Sequence, residues 1–147
     1  MWTVAAAYAA ATRAGDLDAL AGLTEPSLIV WHNFDGRVVD RAASDRTLTW
    51  LHRIVPDLTW EDVGLEPTPS GFVWQAVMRG TAPGGPLAAA TCLVATLSLT
   101  GKVARIDEYV DSAQLACLSE SSGGRPGQGR RAPQQPPRDP CESPTTG

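Results

Sequence analysis

The sequence predicts an α+β fold, in which three helices from the N-terminal half enclose a pocket against a cone-shaped, curved and mostly antiparallel sheet. Helical spacing of apolar residues and helix-capping residues are found mainly in residues 2–55. After residue 57, stretches rich in β-branched and aromatic residues alternate with turns that contain proline or glycine. Helices that precede a run of strands pack on one face of an antiparallel sheet, and such a sheet can curve around a cavity.

Two helices open the chain. Residues 2–14 are rich in alanine, and Val4 and Tyr8 fall at helical spacing. Gly15 is a natural end for this helix, and Asp16 can cap the next one, "DLDALAGL". The sequence therefore predicts two short, consecutive helices before the first strand.

The segment "SLIVWHNFDG" predicts the first strand and a hairpin. Residues 27–33 are apolar and partly β-branched, and the Asp-Gly pair that follows favours a tight turn into "RVVD". Alternation divides the strand between two faces, with Leu28, Val30 and His32 on one and Ile29, Trp31 and Asn33 on the other. His32 can then face a pocket or lie at its rim, bonded to backbone or water, and a second copy of the chain can cover the face with Trp31.

A third helix and a series of long strands follow. Asp40 can cap a helix over residues 41–55, which Pro56 ends. Four strands are then predicted at residues 58–65, 71–81, 87–99 and 102–111, and "SAQLACL" predicts a last helical turn.

The final residues differ from the rest in composition. Residues 119–147 are rich in proline, glycine and arginine and lack apolar periodicity, so the sequence predicts a disordered tail after a single folded domain at residues 1–118. The net charge is −4, and the tail holds four arginines and three acidic residues, so the domain carries about −5. An acidic domain without a basic stripe is not expected to bind nucleic acid.

Several other classes of protein are not indicated. No apolar run reaches the length of a membrane span, and the start of the chain lacks the features of a secretory signal. Three cysteines without CxxC spacing and two separated histidines predict neither a disulfide framework nor a metal site. No phosphate-binding glycine motif is present. We therefore expect a cytoplasmic protein without a cofactor.

Three segments together resemble the NTF2-like superfamily, and within it the SnoaL-like branch. They are "YAAATRAGDLDAL", "SLIVWHN" and "GKVARIDEYVDSAQL", and the resemblance covers about residues 2–118. Relatives in this superfamily include ketosteroid isomerase and limonene-epoxide hydrolase. The resemblance implies an α+β cone with a largely apolar pocket, which is frequently dimeric. Since this fold serves several chemistries as well as non-catalytic binding, it does not by itself assign a function.

Comparison with ketosteroid isomerase implies two roles. Tyr8 matches the tyrosine of its oxyanion hole, and His32 matches the position of its general base. Histidine suits that position because its ordinary pKa is about 6.5. The second oxyanion donor of that enzyme is an acid, and Leu93 in "TCLVATL" stands there instead. Ketosteroid isomerisation itself is therefore not expected.

Comparison with limonene-epoxide hydrolase implies a different partial match. Asp111 in "EYVD" and Arg79 in "VMRG" match an aspartate and the arginine of its catalytic triad. The remaining aspartate falls near Thr81, so the triad is incomplete.

Strand alternation identifies further candidates but leaves their face open. Gln75 and Arg79 share one face of "FVWQAVMRG", and Asp107, Tyr109 and Asp111 share one face of the last strand with Arg105. The pocket interpretation gives these residues a polar network along the cavity. In the alternative interpretation, they lie on the outer face or at an edge in water.

Two functions follow from these observations. In the first, the domain binds a small, largely apolar molecule and catalyses proton transfer, with His32 as base, Tyr8 as hydrogen-bond donor, and Asp111 with Arg79 as an orienting pair. Tyr109, Gln75, Asp107 and Val30 are then the predicted ligand contacts. In the second, the same cone is a non-catalytic module for ligand binding or dimerisation. Whether the chain is an enzyme is left open.

Overall fold

The computed structural model describes residues 2–119 as a six-stranded sheet with three α-helices and one 3₁₀ helix. The helices are α1 (Trp2–Ala14), α2 (Leu17–Leu23), α3 (Arg41–Ile54) and the 3₁₀ helix Ser112–Leu118. The strands are β1 (Thr24–His32), β2 (Val38–Asp40), β3 (Thr59–Thr68), β4 (Gly71–Ala82), β5 (Gly85–Leu97) and β6 (Val103–Val110). The tail predicted at residues 119–147 lies, except for Ser119, outside the described residues.

The strands form one sheet in the order β2-β1-β6-β5-β4-β3. β1 runs parallel to β6, and every other neighbouring pair is antiparallel. The helices pack against one side of this sheet, which we call the inner face, and the opposite side is the outer face. The predicted α+β class and mostly antiparallel curved sheet are therefore confirmed.

The helix boundaries follow from capping. Asp16 and Asp40 each accept a hydrogen bond from the backbone three residues on, from Ala19 at 2.9 Å and Ala43 at 2.8 Å, as the sequence predicts. Gly15 has φ of 64°, the left-handed conformation that ends α1. A side chain there would also meet the ring of His52, with the added Cβ 3.0 Å from its Cδ2. Gly15 thus ends one helix and admits α3 beside it.

The predicted strands occur with their ends displaced by no more than three residues. The largest differences are at the start of β1, which includes Pro26, and at the end of β3. Pairing of β1 with β6 is irregular between Thr24 and Ile29, so the missing N–H of proline falls where the ladder is already interrupted. Tertiary pairing, rather than local propensity, sets these ends.

The core lies between α1, α2 and the inner face of the sheet. Alternate residues of β4 are buried on this face, Phe72, Trp74 and Ala76 in this core and Met78 in a second cluster beside it. Gln75 and Arg79 alternate with the buried residues and are exposed on the outer face. This alternation fixes the strand phase that the sequence left open. Among residues 2–119, no helix has both the length and the apolar content to cross a bilayer.

Candidate functional site

A cavity of about 210 Å³ lies between the helices and the inner face of the sheet. Its wall includes three tryptophans, Trp50, Trp60 and Trp74, from α3, β3 and β4. Its polar residues include Tyr8, Thr12, His32 and Glu108. A mostly apolar space with a few convergent polar groups is the usual form of a small-molecule site.

Trp74 is held in the wall by contacts beyond the cavity. Its indole Nε1 donates a hydrogen bond of 2.8 Å to Asp62, and Asp62 also pairs with Arg13. The Arg13 guanidinium lies over the Trp74 ring, 5.3 Å from its centroid. One face of the cavity is therefore rigid and aromatic.

Tyr8 comes from the buried side of α1. Its ring is 8% exposed and packs on Phe72, with ring centroids 5.9 Å apart. Burial raises the pKa of the Tyr8 phenol well above its ordinary value, and the nearby Glu108 charge adds to this rise. Tyr8 therefore keeps its proton under physiological conditions and is available as a hydrogen-bond donor.

His32 ends β1 on the inner face, together with Leu28 and Val30. The imidazole stacks on Phe34 with centroids 5.3 Å apart. Its Nε2 lies 3.5 Å from Glu108 Oε2, and its Nδ1 lies 4.0 Å from Asp35 Oδ1. The ring therefore stands between a carboxylate in the cavity and another in the hairpin turn.

Asn33 explains why an amide follows this histidine. Its backbone N–H donates to the Glu108 carbonyl at 3.0 Å, and its side-chain oxygen accepts from the Val110 N–H at 2.9 Å. These bonds extend the parallel pairing of β1 and β6 by one residue and fix His32 beside Glu108. The two residues that end the apolar run thus have different tasks, since one faces the cavity and the other secures the strand.

Glu108 is the acidic residue that the sequence interpretation missed. It lies on the inner face of β6 between Ile106 and Val110. Its side chain is 33% accessible, and the accessible part faces the cavity. Burial raises the pKa of the Glu108 carboxyl, and the charge of His32 partly offsets this rise. A signal was present, because an acidic residue between two buried apolar residues is unusual in a strand.

The other polar residues of β6 lie on the outer face, which corrects the pocket interpretation. Asp107 and Tyr109 alternate with the inner residues, and Arg105 donates to Asp107 at 2.9 Å. Tyr109 is 45% exposed and packs edge-on against Trp31, with centroids 5.5 Å apart. The sequence separated the two faces of β6 correctly. The packing of the helices in the structure shows which face they cover.

Asp111 and Arg79 do not form the predicted orienting pair. Arg79 is on the outer face, where its Nε donates to Glu61 at 2.6 Å. Asp111 follows the last residue of β6 and accepts from the Ala113 N–H at 2.9 Å, which caps the 3₁₀ helix. Gln75 also faces outward, into an open groove shared with Tyr109.

Val30 is the remaining predicted ligand contact. It points to the inner face as expected, but it is 2% exposed and belongs to the packed core rather than to the cavity wall. Of the eight predicted site residues, the structure therefore brings Tyr8 and His32 to the cavity, and it adds Glu108 and Thr12.

Glu108 gives the fold a specific pH dependence. Because folding raises the pKa of this carboxyl above its ordinary 4.5, its charged form disfavours the folded state. The contribution of Glu108 to stability is therefore fully present below about pH 4.5 and is lost as the pH rises through the folded-state pKa. We expect Glu108→Gln, which stays neutral, to lack this loss and to gain stability relative to the wild type as the pH rises.

Urea unfolding from about pH 4 to about pH 8 measures this difference. Glu66→Gln, which removes an exposed carboxylate from β3, is the matched control and should follow the wild type. Parallel curves for wild type and Glu108→Gln would contradict the placement of Glu108 in a desolvated site.

No sequence-family model and no curated protein sequence matches this chain. Solved structures do match. IdmH from Streptomyces antibioticus, a candidate polyketide cyclase, is 19% identical with a TM-score of 0.68, and the match covers 80% of this chain and 96% of IdmH.

Two further structures have similar folds. AclR from Streptomyces galilaeus, a candidate hydroxylase, is 14% identical with a TM-score of 0.67, over 78% of this chain and 80% of AclR. A protein from Catenulispora acidiphila DSM 44928 with a ketosteroid isomerase-like fold, solved with trimethylamine, is 15% identical with a TM-score of 0.60, over 72% and 83% of the two chains. At these identities the likeness establishes the fold alone, and it is the NTF2-like fold that the sequence resemblance implied.

Proposed function

We propose that the cavity binds a small, largely apolar carbonyl compound and that His32 and Glu108 act together as the acid–base group of a proton-transfer reaction on it. The observation that carries this proposal is the pair itself, with 3.5 Å between Nε2 and Oε2, at the wall of an apolar cavity. Perturbed carboxylates beside a titratable partner in a pocket are typical of acid–base sites.

The chemistry follows from the positions of the polar groups. The pair takes a proton from a carbon next to the carbonyl, and the electrons of the broken C–H bond pass to the carbonyl oxygen. Tyr8 donates a hydrogen bond to that oxygen as its negative charge develops. The pair then returns the proton to the same or another atom, so the enzyme ends each cycle unchanged.

The two members of the pair have different parts. His32 is the base implied by the family resemblance, and it lies between two carboxylates, Glu108 and Asp35. Glu108 faces the cavity and holds the imidazole in position. Because the two groups are coupled, the proton belongs to the pair rather than to either residue.

The cavity volume restricts the size of the ligand. An apolar cavity of about 150 Å³ holds benzene, and the cavity here is about 210 Å³. A monocyclic ketone or a short acyclic one fits that volume. A compound with four fused rings does not, unless the walls move apart. We therefore place the substrate among small carbonyl compounds.

Exchange of protons for deuterium tests the proposal without knowledge of the natural product. Acetophenone, cyclohexanone and related monocyclic ketones are incubated with the protein in D₂O, and loss of the α-proton signals is followed by ¹H NMR. We expect at least one ketone to exchange faster with the protein than with buffer alone. Saturable binding without exchange would instead support a non-catalytic ligand-binding module.

The outer face favours a second role, dimerisation. Several apolar side chains are exposed there, including Ile29 at 41%, Val63 at 68% and Tyr109 at 45%. Trp31 and Tyr109 form an aromatic pair on this surface. A patch of this kind on a sheet face is typical of an interface. We propose that two copies of the chain associate through it, as the sequence predicted for Trp31.

Charge introduced into this face should weaken the dimer. We expect Tyr109→Arg to lower the dimerisation affinity by at least about tenfold, because an aromatic contact is lost and a charge must be desolvated. Analytical ultracentrifugation over a range of concentrations measures the effect. Leu99→Arg changes an exposed apolar residue in the β5–β6 turn and should leave the affinity unchanged. A wild-type protein that is monomeric at every concentration would rule out this interface.

A further inference from the structure

We infer that Thr12 is a positioning residue for Tyr8: its hydroxyl donates to the Tyr8 oxygen when Tyr8 donates to the oxygen of a bound carbonyl compound. This inference rests on the proposed function of the cavity. It gives the cavity a second hydroxyl behind that of Tyr8.

The first observation is an unpaired buried hydroxyl. Thr12 Oγ1 is buried and has no hydrogen-bond partner in the part of the chain that the structure describes. Leaving a buried hydroxyl unpaired costs free energy, so such groups are rare in folded proteins. Where one is kept beside a cavity, its partner can be a neighbouring oxygen that becomes a stronger acceptor when the site is occupied.

The second observation is that Thr12 differs from the threonines of α3 and from Thr24. Thr47 and Thr49 in α3 bond to the carbonyl four residues earlier, at 3.1 and 2.9 Å. Thr24, after α2, does the same with Leu20 at 2.8 Å. This local bond is the usual way for a helical threonine to satisfy its hydroxyl. The Thr12 hydroxyl lacks it and is thus free for another partner.

The third observation is the position of Thr12. It lies one turn after Tyr8 on α1, and side chains four residues apart share a helix face. Both residues line the cavity. The Thr12 hydroxyl lies close enough to the phenol to act against the burial that raises the pKa of Tyr8, although the two side chains as they stand do not meet hydrogen-bond geometry. The His52 ring donates to the Thr12 carbonyl at 3.1 Å, which fixes this turn of the helix against α3.

These observations define a short hydrogen-bond chain. When the Tyr8 proton moves toward the ligand oxygen, negative charge builds on the phenol oxygen, which becomes a better acceptor. The Thr12 O–H can then donate to it, and consecutive bonds of this kind strengthen one another. In this arrangement Thr12 acts through the Tyr8 oxygen rather than on the reacting atoms, so its effect should appear in the rate rather than in binding.

The experiment uses the full chain with acetophenone as probe. Thr12→Val removes the hydroxyl at nearly constant shape, Thr12→Ser keeps it, and Thr49→Val removes a hydroxyl that is already bonded and lies outside the cavity. The α-proton exchange rate at saturating probe, the dissociation constant and the infrared carbonyl stretch of the bound probe are measured for each. Thermal unfolding shows whether each variant folds.

We expect Thr12→Val to lower the saturated exchange rate about 3- to 10-fold, as befits one neutral hydrogen bond, with a nearly unchanged dissociation constant. The carbonyl band should lose part of its shift toward lower frequency. Thr12→Ser should restore both, and Thr49→Val should match the wild type. The melting temperature of Thr12→Val should not fall, because the hydroxyl that it removes is unpaired in the folded protein.

Two results would overturn the inference while leaving the proposed function in place. One is a Thr12→Val protein with the wild-type exchange rate and carbonyl band. The other is an equal loss in Thr12→Ser, which would assign Thr12 a packing role. A wild-type protein that neither binds acetophenone nor exchanges its protons would overturn the proposed function and, with it, this inference.

Discussion

Replacing Glu108 with glutamine is expected to lower the rate of α-proton exchange by about 10²- to 10⁴-fold, the usual contribution of a positioned acid–base group. Glutamine keeps the shape of the side chain but cannot take up a proton or carry the charge that holds His32. Because Glu108 and His32 lie 3.5 Å apart and act as one group, His32→Gln should cause a loss of similar size. The double variant should be little worse than either single one.

Initial exchange rates by ¹H NMR, at the same ketone concentration for each variant, measure these losses. Glu66→Gln is again the control, since it removes an equivalent carboxylate from the exposed side of β3. Full activity in Glu108→Gln would remove this residue from the mechanism and leave His32 as the base alone. Losses that add in the double variant would show that the two residues act separately.

Replacing Phe72 with alanine is expected to lower the free energy of unfolding by about 3 to 5 kcal/mol, the range measured for large aromatic side chains in protein cores. Phe72 is fully buried, at 0% exposure, and is among the largest side chains without solvent contact. It also supports the Tyr8 ring from below, with the centroids 5.9 Å apart. The space left by the phenyl ring should therefore make the Tyr8 side chain more mobile as well as weaken the core.

Urea unfolding gives the change in stability. The chain has one other phenylalanine, Phe34, which is 44% exposed in the hairpin, and Phe34→Ala should cost no more than about 1 kcal/mol. A similar small cost for Phe72→Ala would mean that the core between α1 and β4 is not packed as described.

Local patterns were sufficient for much of the fold. Asp16 and Asp40 cap the helices that the sequence assigned to them, and glycine or proline marks most of the turns. These features depend on residues close together in the chain. The position of His32 on the inner face also follows from simple alternation in β1.

The candidate site was less predictable because it depends on distant pairing. His32 and Glu108 become neighbours only because β1 and β6 run in parallel beside each other. Within β6, the apolar residues Ile106 and Val110 indicated that the helices cover the face of Glu108, but the run of polar residues on the other face was given more weight. For that reason Asp107 and Tyr109 were assigned to the pocket, whereas Glu108 occupies it. Likewise, the Thr12 hydroxyl can be identified as unpaired only when the positions of the neighbouring donors and acceptors are known.

Titration of the Glu108 carboxyl tests the central claim, that His32 and Glu108 form a coupled acid–base pair at the wall of a desolvated cavity. The side-chain carboxyl carbon is followed by ¹³C NMR as the pH is changed, in the wild type and in His32→Gln. We predict a pKa above the ordinary glutamate value of 4.5 in the wild type, and a higher one in the variant, because the positive charge of His32 lowers it. An ordinary pKa that is the same in both proteins would contradict the claim.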